Sequence, residues 1–415
     1  LLTVLSGDFL QLPPVERGSL ARRPTATVTH HGEDPDTAVP TEPAEATKPG
    51  EAEQGFLLWH GLTRVVSLSV NIRAPGLLGR LQSEMRAGSI SDDMWRLYQS
   101  RVLQRNDPRL LAPPFSTNEV QYIVHRHRIR ARQAFRNAVE HCQQTKQRLY
   151  VVKACVEAQV GEEHLLSAQT MEELLSLTGL KPSGGVPSIL PLYIGMRLLL
   201  NSKDCVRFGL MKGCECTLEQ IIFADAEVLP HAAVAGDPIE LEFLPQSLLL
   251  RAKGAQWKLP PSKLPPLSPT VDRRGLFQLE ATPVYLRRQV GAKEYKSFKR
   301  TGFLVVPADT RIVYAAQGET FDAVVADMER PPRMDLDTHW LACYVMISRA
   351  RTLEGFLVLR PALLKELSRE PPKYLIDEIE RLLALERTST AELVRYIHAL
   401  PRGLVPPEIL AMFQP

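Results

Sequence analysis

Apolar residues fall into three textures along this chain. The first is the short, nearly unbroken apolar run. Leu1–Leu5, Phe303–Pro307, Ala323–Asp327 and Phe356–Leu359 have this form. Such runs predict strands buried on both faces, as in a parallel sheet covered by helices. VVSLSV at 65–70 is a further strand candidate. The second texture is helical periodicity, over 76–87, 91–104, 362–387 and 390–399. The stretch LLAPPFSTNE at 110–119 predicts a strand running into a cap at Thr117 or Asn118. Beyond it Val120, Ile123, Val124, Ala131, Ala134, Phe135 and Ala138, spaced mostly by three and four, predict a helix. The third texture occupies 186–300. There Met196–Leu200, Gln220–Phe223, Ile239–Phe243 and Val284–Leu286 are separated by Gly, Pro and Asp turns, which suggests a small β-barrel inserted into an α/β domain.

One stretch has no periodicity at all. Between Glu33 and Glu53 stand seven acids and one Lys among many Thr, Pro and Ala, the composition of an unstructured insertion over 16–54. Order is expected to return at Gln54. The remaining composition excludes more than it assigns. Over 415 residues, 44% hydrophobic and 23% charged positions rule out a wholly disordered chain or a coiled-coil rod. A net charge of +3 demands no polyanionic partner, so any basic site must be local. Six cysteines make no disulfide framework, and the one tight pair, Cys214 and Cys216, reads as reduced thiols or as half of a metal site. No run of about 18 uncharged apolar residues is present to span a bilayer. The opening residues read as a strand already inside a domain, so the chain is expected to be a fragment of a longer protein.

Two basic segments qualify as local sites. Arg126, Arg128, Arg130, Arg132 and Arg136 lie in a stretch with no acid, and 287–300 holds six bases and one acid. Each reads either as a solvated face or as contact with a phosphate backbone.

Three short constellations carry candidate chemistry. In Gly7-Asp8-Phe9-Leu10-Gln11-Leu12-Pro13-Pro14 a strand ends at Gly-Asp, and a Pro-Pro turn holds Gln11, whose amide can both donate to and accept from a phosphate. In Tyr314-Ala315-Ala316-Gln317-Gly318-Glu319-Thr320-Phe321-Asp322, Gly318 permits close backbone approach, and Gln317, Glu319 and Thr320 supply polar contacts. Tyr344–Gly355 has the form of a helix carrying Arg349 and Arg351 into a turn before the strand FLVLR. An Arg there can stabilise charge on a transferring phosphoryl group, or be structural.

In their order along the chain these segments resemble the later motifs of superfamily 1 DNA helicases of the PIF and RecD-like type. Gly7–Val15 matches motif III. Phe56 and Trp59, followed by Asn71-Ile72-Arg73, resemble the approach to motif IV, with Ala74 where the family usually has Gln. Ile194–Leu198 and Gly209–Gly213 resemble strands of the family's inserted barrel. Gln317–Asp322 matches the second half of motif V, and Tyr344–Gly355 matches motif VI. The first half of motif V departs from the family, with Tyr314-Ala315-Ala316 in place of its polar residues. Tyr314 there can stack on a base or belong to the core.

The resemblance implies an α/β fold class, with RecA-like parallel-sheet domains, the first one truncated, and a small inserted β-barrel. It divides the chain into a first-domain remnant (1–15), the acidic insertion (16–54), the rest of the first domain with the start of the second (55–185), the barrel (186–300), the second domain with motifs V and VI (301–365) and a helical extension (366–415). It implies an ATP-dependent DNA helicase of genome maintenance, acting in repair, recombination or at telomeres, with ATP and Mg²⁺ as cofactors in the complete enzyme. The expected partner is single-stranded or forked DNA, and the expected form a monomer inside the cell, nuclear or mitochondrial. Gln11, Arg73 and Arg349 would be the catalytic residues, with Arg349 facing solvent at a domain cleft. Gly7, Asp8, Gln317, Gly318 and Glu319 would line the nucleotide side. Tyr314, Thr320, Arg126 and Arg130 would contact DNA. No metal ligands are assigned. The pattern G-x-x-x-x-G-K-[ST] occurs nowhere in the chain, so this piece alone is expected not to hydrolyse ATP. The alternative is a degenerate, non-catalytic nucleic-acid-binding protein that keeps the helicase fold.

Overall fold

A computed structural model describes residues 12, 19–21, 49–66, 76–117, 119–177, 183–201, 209–230, 234–289 and 295–400. Its α/β part is built on a four-stranded sheet in the order Thr310–Ile312, Gln121–Val124, Val324–Asp327, Phe356–Arg360, with every neighbouring pair parallel. Side chains alternate across the sheet, as strand geometry requires. Ile123, Val324, Ala326, Phe356 and Val358 face one apolar cluster, shared with Leu78, Leu81, Met85 and the helix Leu336–Ile347. Tyr122, Val325, Leu357 and Leu359 face a smaller cluster with Phe115 and Val120 on the other side. The sheet is therefore covered on both faces, which is why its strands read as unbroken apolar runs.

Helix Leu336–Ile347 is buried at every position from His339 to Ile347 and starts at Asp335, whose carboxylate accepts from the Thr338 amide at 2.8 Å. An all-apolar helix of this kind belongs to a core rather than a surface.

Three predicted elements are corrected. The stretch 110–119 is not a strand with a helix cap. Pro108–Leu111 forms a short 3-10 turn, and the Thr117 hydroxyl donates to the Pro114 carbonyl at 3.0 Å. Asn118 lies outside the described residues. The strand comes afterwards, at Gln121–Val124, and the helix begins at His127 and runs to Thr145. A short apolar run does not show by periodicity whether it is strand or helix, so Ile123 and Val124 prove to be strand rather than helix, with Val120 just ahead of them. Phe303–Pro307, expected in the α/β sheet, contributes Val305–Pro307 to an antiparallel pair with Arg197–Leu200, and the parallel sheet resumes at Thr310.

The β-rich region has a five-stranded antiparallel sheet in the order Val305–Pro307, Arg197–Leu200, Glu215–Ile222, Ser247–Ala252, Leu276–Glu280. A three-stranded sheet of Ile189–Leu192, Leu149–Lys153 and Pro238–Glu240 shares its core through Tyr150, Leu192, Leu198, Leu218 and Leu250. Strand Leu149–Lys153 thus lies with the β region, ahead of the predicted start at 186. A third sheet joins Thr282–Gln289, Tyr295–Gly302 and Cys155–Glu157.

At the edges of the chain, helix Pro49–His60 starts inside the segment predicted to lack structure. Val65 and Val66 carry no regular structure, and the rest of that strand candidate lies outside the described residues. The two predicted C-terminal helices are a short helix, Leu364–Leu367, and one continuous helix, Lys373–Ala399, separated at Pro371-Pro372. The long helix is tied back by Glu378, which accepts from Trp59 Nε1 at 2.6 Å and pairs with Arg381 at 2.7 Å. Among the described residues no helix is long and apolar enough to cross a membrane.

Candidate functional site

Strand Thr310–Ile312 feeds directly into the single helical turn Val313–Ala316, which ends at Gln317. Gly318 follows with φ +87°, a left-handed conformation that suits Gly because it has no Cβ to clash. The chain then doubles back so that Phe321 pairs with the residues just after helix Leu336–Ile347. The Phe321 amide donates to the Arg349 carbonyl at 2.8 Å, and the Arg351 amide donates to the Phe321 carbonyl at 3.1 Å. Gly355 makes this approach possible, because a Cβ there would sit 2.0 Å from the Asp322 carbonyl oxygen.

Arg349 closes the junction. Its Nη1 donates to the Glu319 carbonyl at 2.8 Å, its Nε to the Val345 carbonyl at 3.1 Å and its Nη2 to Ser348 Oγ at 2.6 Å. It is 1% exposed. The expectation of a solvent-facing arginine is therefore corrected: the guanidinium lies inside, because the loop that follows Gly318 offers it a carbonyl and covers it. Arg351 points outward and pairs with Asp322 at 2.7 Å. Gln317 Nε2 donates to the Leu12 carbonyl at 3.4 Å, and Leu12 is buried in the same cluster as Val313 and Ala316. The segments around Leu12, Gln317 and Arg349 are thus bonded to one another.

Other predicted residues separate. Tyr314 is half-buried against the sheet's apolar cluster, and burial pushes its phenol up to about 12. Thr320 is half-buried and Glu319 exposed, with Arg311 Nη1 3.6 Å from the Glu319 carboxylate. Arg126 donates to the Pro332 carbonyl. Arg130 is half-buried beside Pro187, Ile189 and Val306, and burial lowers it to about 10. The exposed cations of that helix are Arg128, Arg132 and Arg136, the last paired with Glu140 at 2.8 Å. In 287–300 three of the cations meet acids. Arg288 pairs with Glu173, Lys296 with Glu162 at 2.6 Å and Lys299 with Glu157 at 2.9 Å. Arg300 is buried and donates to the carbonyls of Leu174, Leu177 and Val186. Gly7, Asp8, Gln11 and Arg73 lie outside the described residues.

One cluster is not evident from the sequence: His125, His339 and Cys343, at the carboxyl end of the parallel sheet. Burial lowers His125 to about 3, lowers His339 and pushes the Cys343 thiol well up, so both imidazoles are neutral at pH 7. The spacing His339-x-x-x-Cys343 within a helix is the available signal, but His125 is joined to it only by the fold.

No protein-family model and no curated protein matches the chain. Among solved structures it is similar to the Pif1 helicase from Candida albicans, with 15% identity, a TM-score of 0.46, and coverage of 80% of this chain and 63% of that one. It is also similar to the Pif1 helicase from Bacteroides in complex with ADP-AlF3 and ssDNA, with 15% identity, a TM-score of 0.46, and coverage of 77% and 56%. The chain therefore spans less than two thirds of either protein.

Proposed function

We propose that this chain is the C-terminal portion of an ATP-dependent DNA helicase of superfamily 1, in which hydrolysis is coupled to movement along one DNA strand and to unwinding during genome maintenance. The observation that supports this reading most is the bonded junction of the motif segments, Gln317 to Leu12 and Arg349 to Glu319. A loop held at both ends by residues of the nucleotide-side motifs can transmit a change at one to the other, which is what coupling requires. In this arrangement Arg349 is a positioning residue. To reach a phosphate it must exchange the Glu319 carbonyl for a phosphate oxygen, and a guanidinium can donate to either. Gln11 and Arg73 remain candidates for direct contact with the nucleotide. ATP with Mg²⁺ supplies the transferable phosphoryl group. Its phosphate loop is absent from this sequence, so turnover is proposed for the whole protein. On the DNA side, exposed Arg128 and Arg132 join Tyr314, Thr320, Arg126 and Arg130 as candidates.

The non-catalytic reading is favoured by one observation. Ala315 and Ala316 stand where the family carries polar residues, and Tyr314 packs against the core. Fluorescence anisotropy with a labelled oligothymidine tests what both readings share. Salt-sensitive binding supports them, and no binding at low salt removes both. ATP hydrolysis by the full-length natural protein then separates them. Turnover stimulated by single-stranded DNA supports the helicase, and binding without turnover leaves the non-catalytic protein.

A further inference from the structure

We infer that His125, His339 and Cys343 form a structural binding site for a thiophilic divalent metal, zinc by its donor set. This inference is independent of the helicase reading.

The fold builds the cluster from two elements. His125 is the residue immediately after the central strand Gln121–Val124. His339 and Cys343 are one turn apart on the buried helix Leu336–Ile347, so they share one face of it. One donor atom from each of the three residues lies within 4.8 Å of the others. His339 Nε2 is 3.3 Å from Cys343 Sγ, and the His125 and His339 rings are 5.6 Å apart. With Zn–N of about 2.0–2.1 Å and Zn–S of about 2.3 Å, tetrahedral ligands lie roughly 3.5 Å apart. The His339–Cys343 edge is already near that value, and a small ring movement of His125 completes the set. The Met328 carbonyl oxygen lies beside this edge, accepting from His339 Nε2 at 3.0 Å and standing 3.8 Å from Cys343 Sγ.

Satisfaction of polar groups points the same way. Both ring nitrogens of His125 and Nδ1 of His339 are buried and, among the described residues, have no hydrogen-bond partner. Buried polar atoms are rarely left so, which makes His125 the observation that asks for a partner. The His339 nitrogen nearest the thiol is Nε2, which donates to the Met328 carbonyl at 3.0 Å, so metal binding there would move its proton to Nδ1. The donor set is two imidazoles and one thiol, which suits zinc and disfavours the oxygen-seeking Mg²⁺ and Ca²⁺. The surrounding charge is mixed. Asp327 and Glu366 face Cys343, while Arg360 and Arg126 face His125. Arg360 is held by Asp327 at 2.5 Å, which moderates its repulsion of a cation. Held there, the metal would clamp the carboxyl end of the sheet to the helix whose far end carries Arg349.

The test is metal content and cobalt spectroscopy on the purified chain. One zinc per chain is expected after gel filtration. Cobalt substitution should give visible ligand-field bands with thiolate-to-cobalt charge transfer. Cys343→Ser should abolish the charge transfer and weaken binding at least about tenfold. Cys214→Ser, in the β region, should change neither. X-ray absorption of the cobalt-loaded wild type, which requires no variant to fold, should show one sulfur and imidazole nitrogens. Folded wild-type chain that takes up no stoichiometric metal overturns the proposal. So does a cobalt spectrum that survives Cys343→Ser and disappears with Cys214→Ser.

Discussion

The guanidinium of Arg349 donates to the backbone carbonyl of Glu319 at 2.8 Å, and through that bond the end of one buried helix holds the loop that follows Gly318. A backbone carbonyl has no side chain to mutate away, so the bond persists whatever residue stands at 319. The specificity of the interaction resides wholly in Arg349.

Arg349→Ala should therefore cost stability. It removes a buried charged donor and leaves the Glu319 carbonyl without its Arg349 partner, while the Val345 carbonyl keeps the Ser348 hydroxyl at 2.7 Å, at a cost of about 2–4 kcal/mol. Arg351→Ala breaks only an exposed pair with Asp322 and should cost less than about 1 kcal/mol. Urea denaturation of both variants checks this, and equal small effects would show that the Arg349 bonds contribute little.

The two glycines of the junction should respond differently. Gly355→Ala forces a Cβ to 2.0 Å from the Asp322 oxygen, so backbone must move, at about 2–3 kcal/mol or more. Gly318→Ala meets nothing within 4 Å and should cost only the left-handed backbone penalty, about 1–2 kcal/mol. Thermal melts ranking Gly318→Ala as the more damaging would refute this account.

Asp309 gives a pH-dependent prediction. Burial raises its carboxyl from 3.8 to about 6, although Asn137 Nδ2 at 2.7 Å and the Thr310 hydroxyl at 3.3 Å favour the charged form. The folded chain thus holds a proton that the unfolded chain releases. This contribution is fully present below 3.8 and is lost as pH rises through about 6. Asp309→Asn keeps an acceptor without the charge. It should stabilise the protein above pH 6 by on the order of 1–2 kcal/mol and make little difference near pH 3.8. Urea midpoints at both ends of that range decide the matter.

For nucleic acid, exposure now ranks the arginines. Replacing Arg128 and Arg132 with Gln should weaken single-strand binding regardless of base sequence. It should also reduce the salt slope by about 0.7 for each phosphate that is no longer neutralised. Lys296→Gln and Lys299→Gln should matter less, because Glu162 and Glu157 already neutralise those ammonium groups. Anisotropy titrations at several salt concentrations provide the comparison.

The sequence made the buried strands Val324–Asp327 and Phe356–Arg360 legible, because both faces are covered and the apolar runs are unbroken. Gln121–Val124 was hidden by its length, four residues leading within three more into a helix. The residues of the junction were legible as short polar constellations around Gln317 and Arg349. The burial of Arg349 was not, since it depends on a carbonyl supplied by a distant loop. Acids at 157, 162 and 173 that pair with three cations of the 287–300 segment were equally out of view, because the pairing of Cys155–Glu157 with Tyr295–Gly302 is a matter of register. The His125 cluster required knowing that His125 ends the strand beneath His339.

The position of the β region within the parallel sheet has a consequence for how this chain folds. Tyr122 pairs with Thr310 on one side and with Val325 on the other, yet the whole β region lies between Tyr122 and these partners in sequence. The central strand therefore waits for both of its neighbours until everything from Leu149 to Pro307 has been made. Its loop-closure cost is high unless the β region folds first and brings its two ends together. On the ribosome, the half-made α/β core would expose an unpaired apolar strand for that entire interval. The order of synthesis thus makes the autonomous folding of the β region a precondition for solubility of the rest.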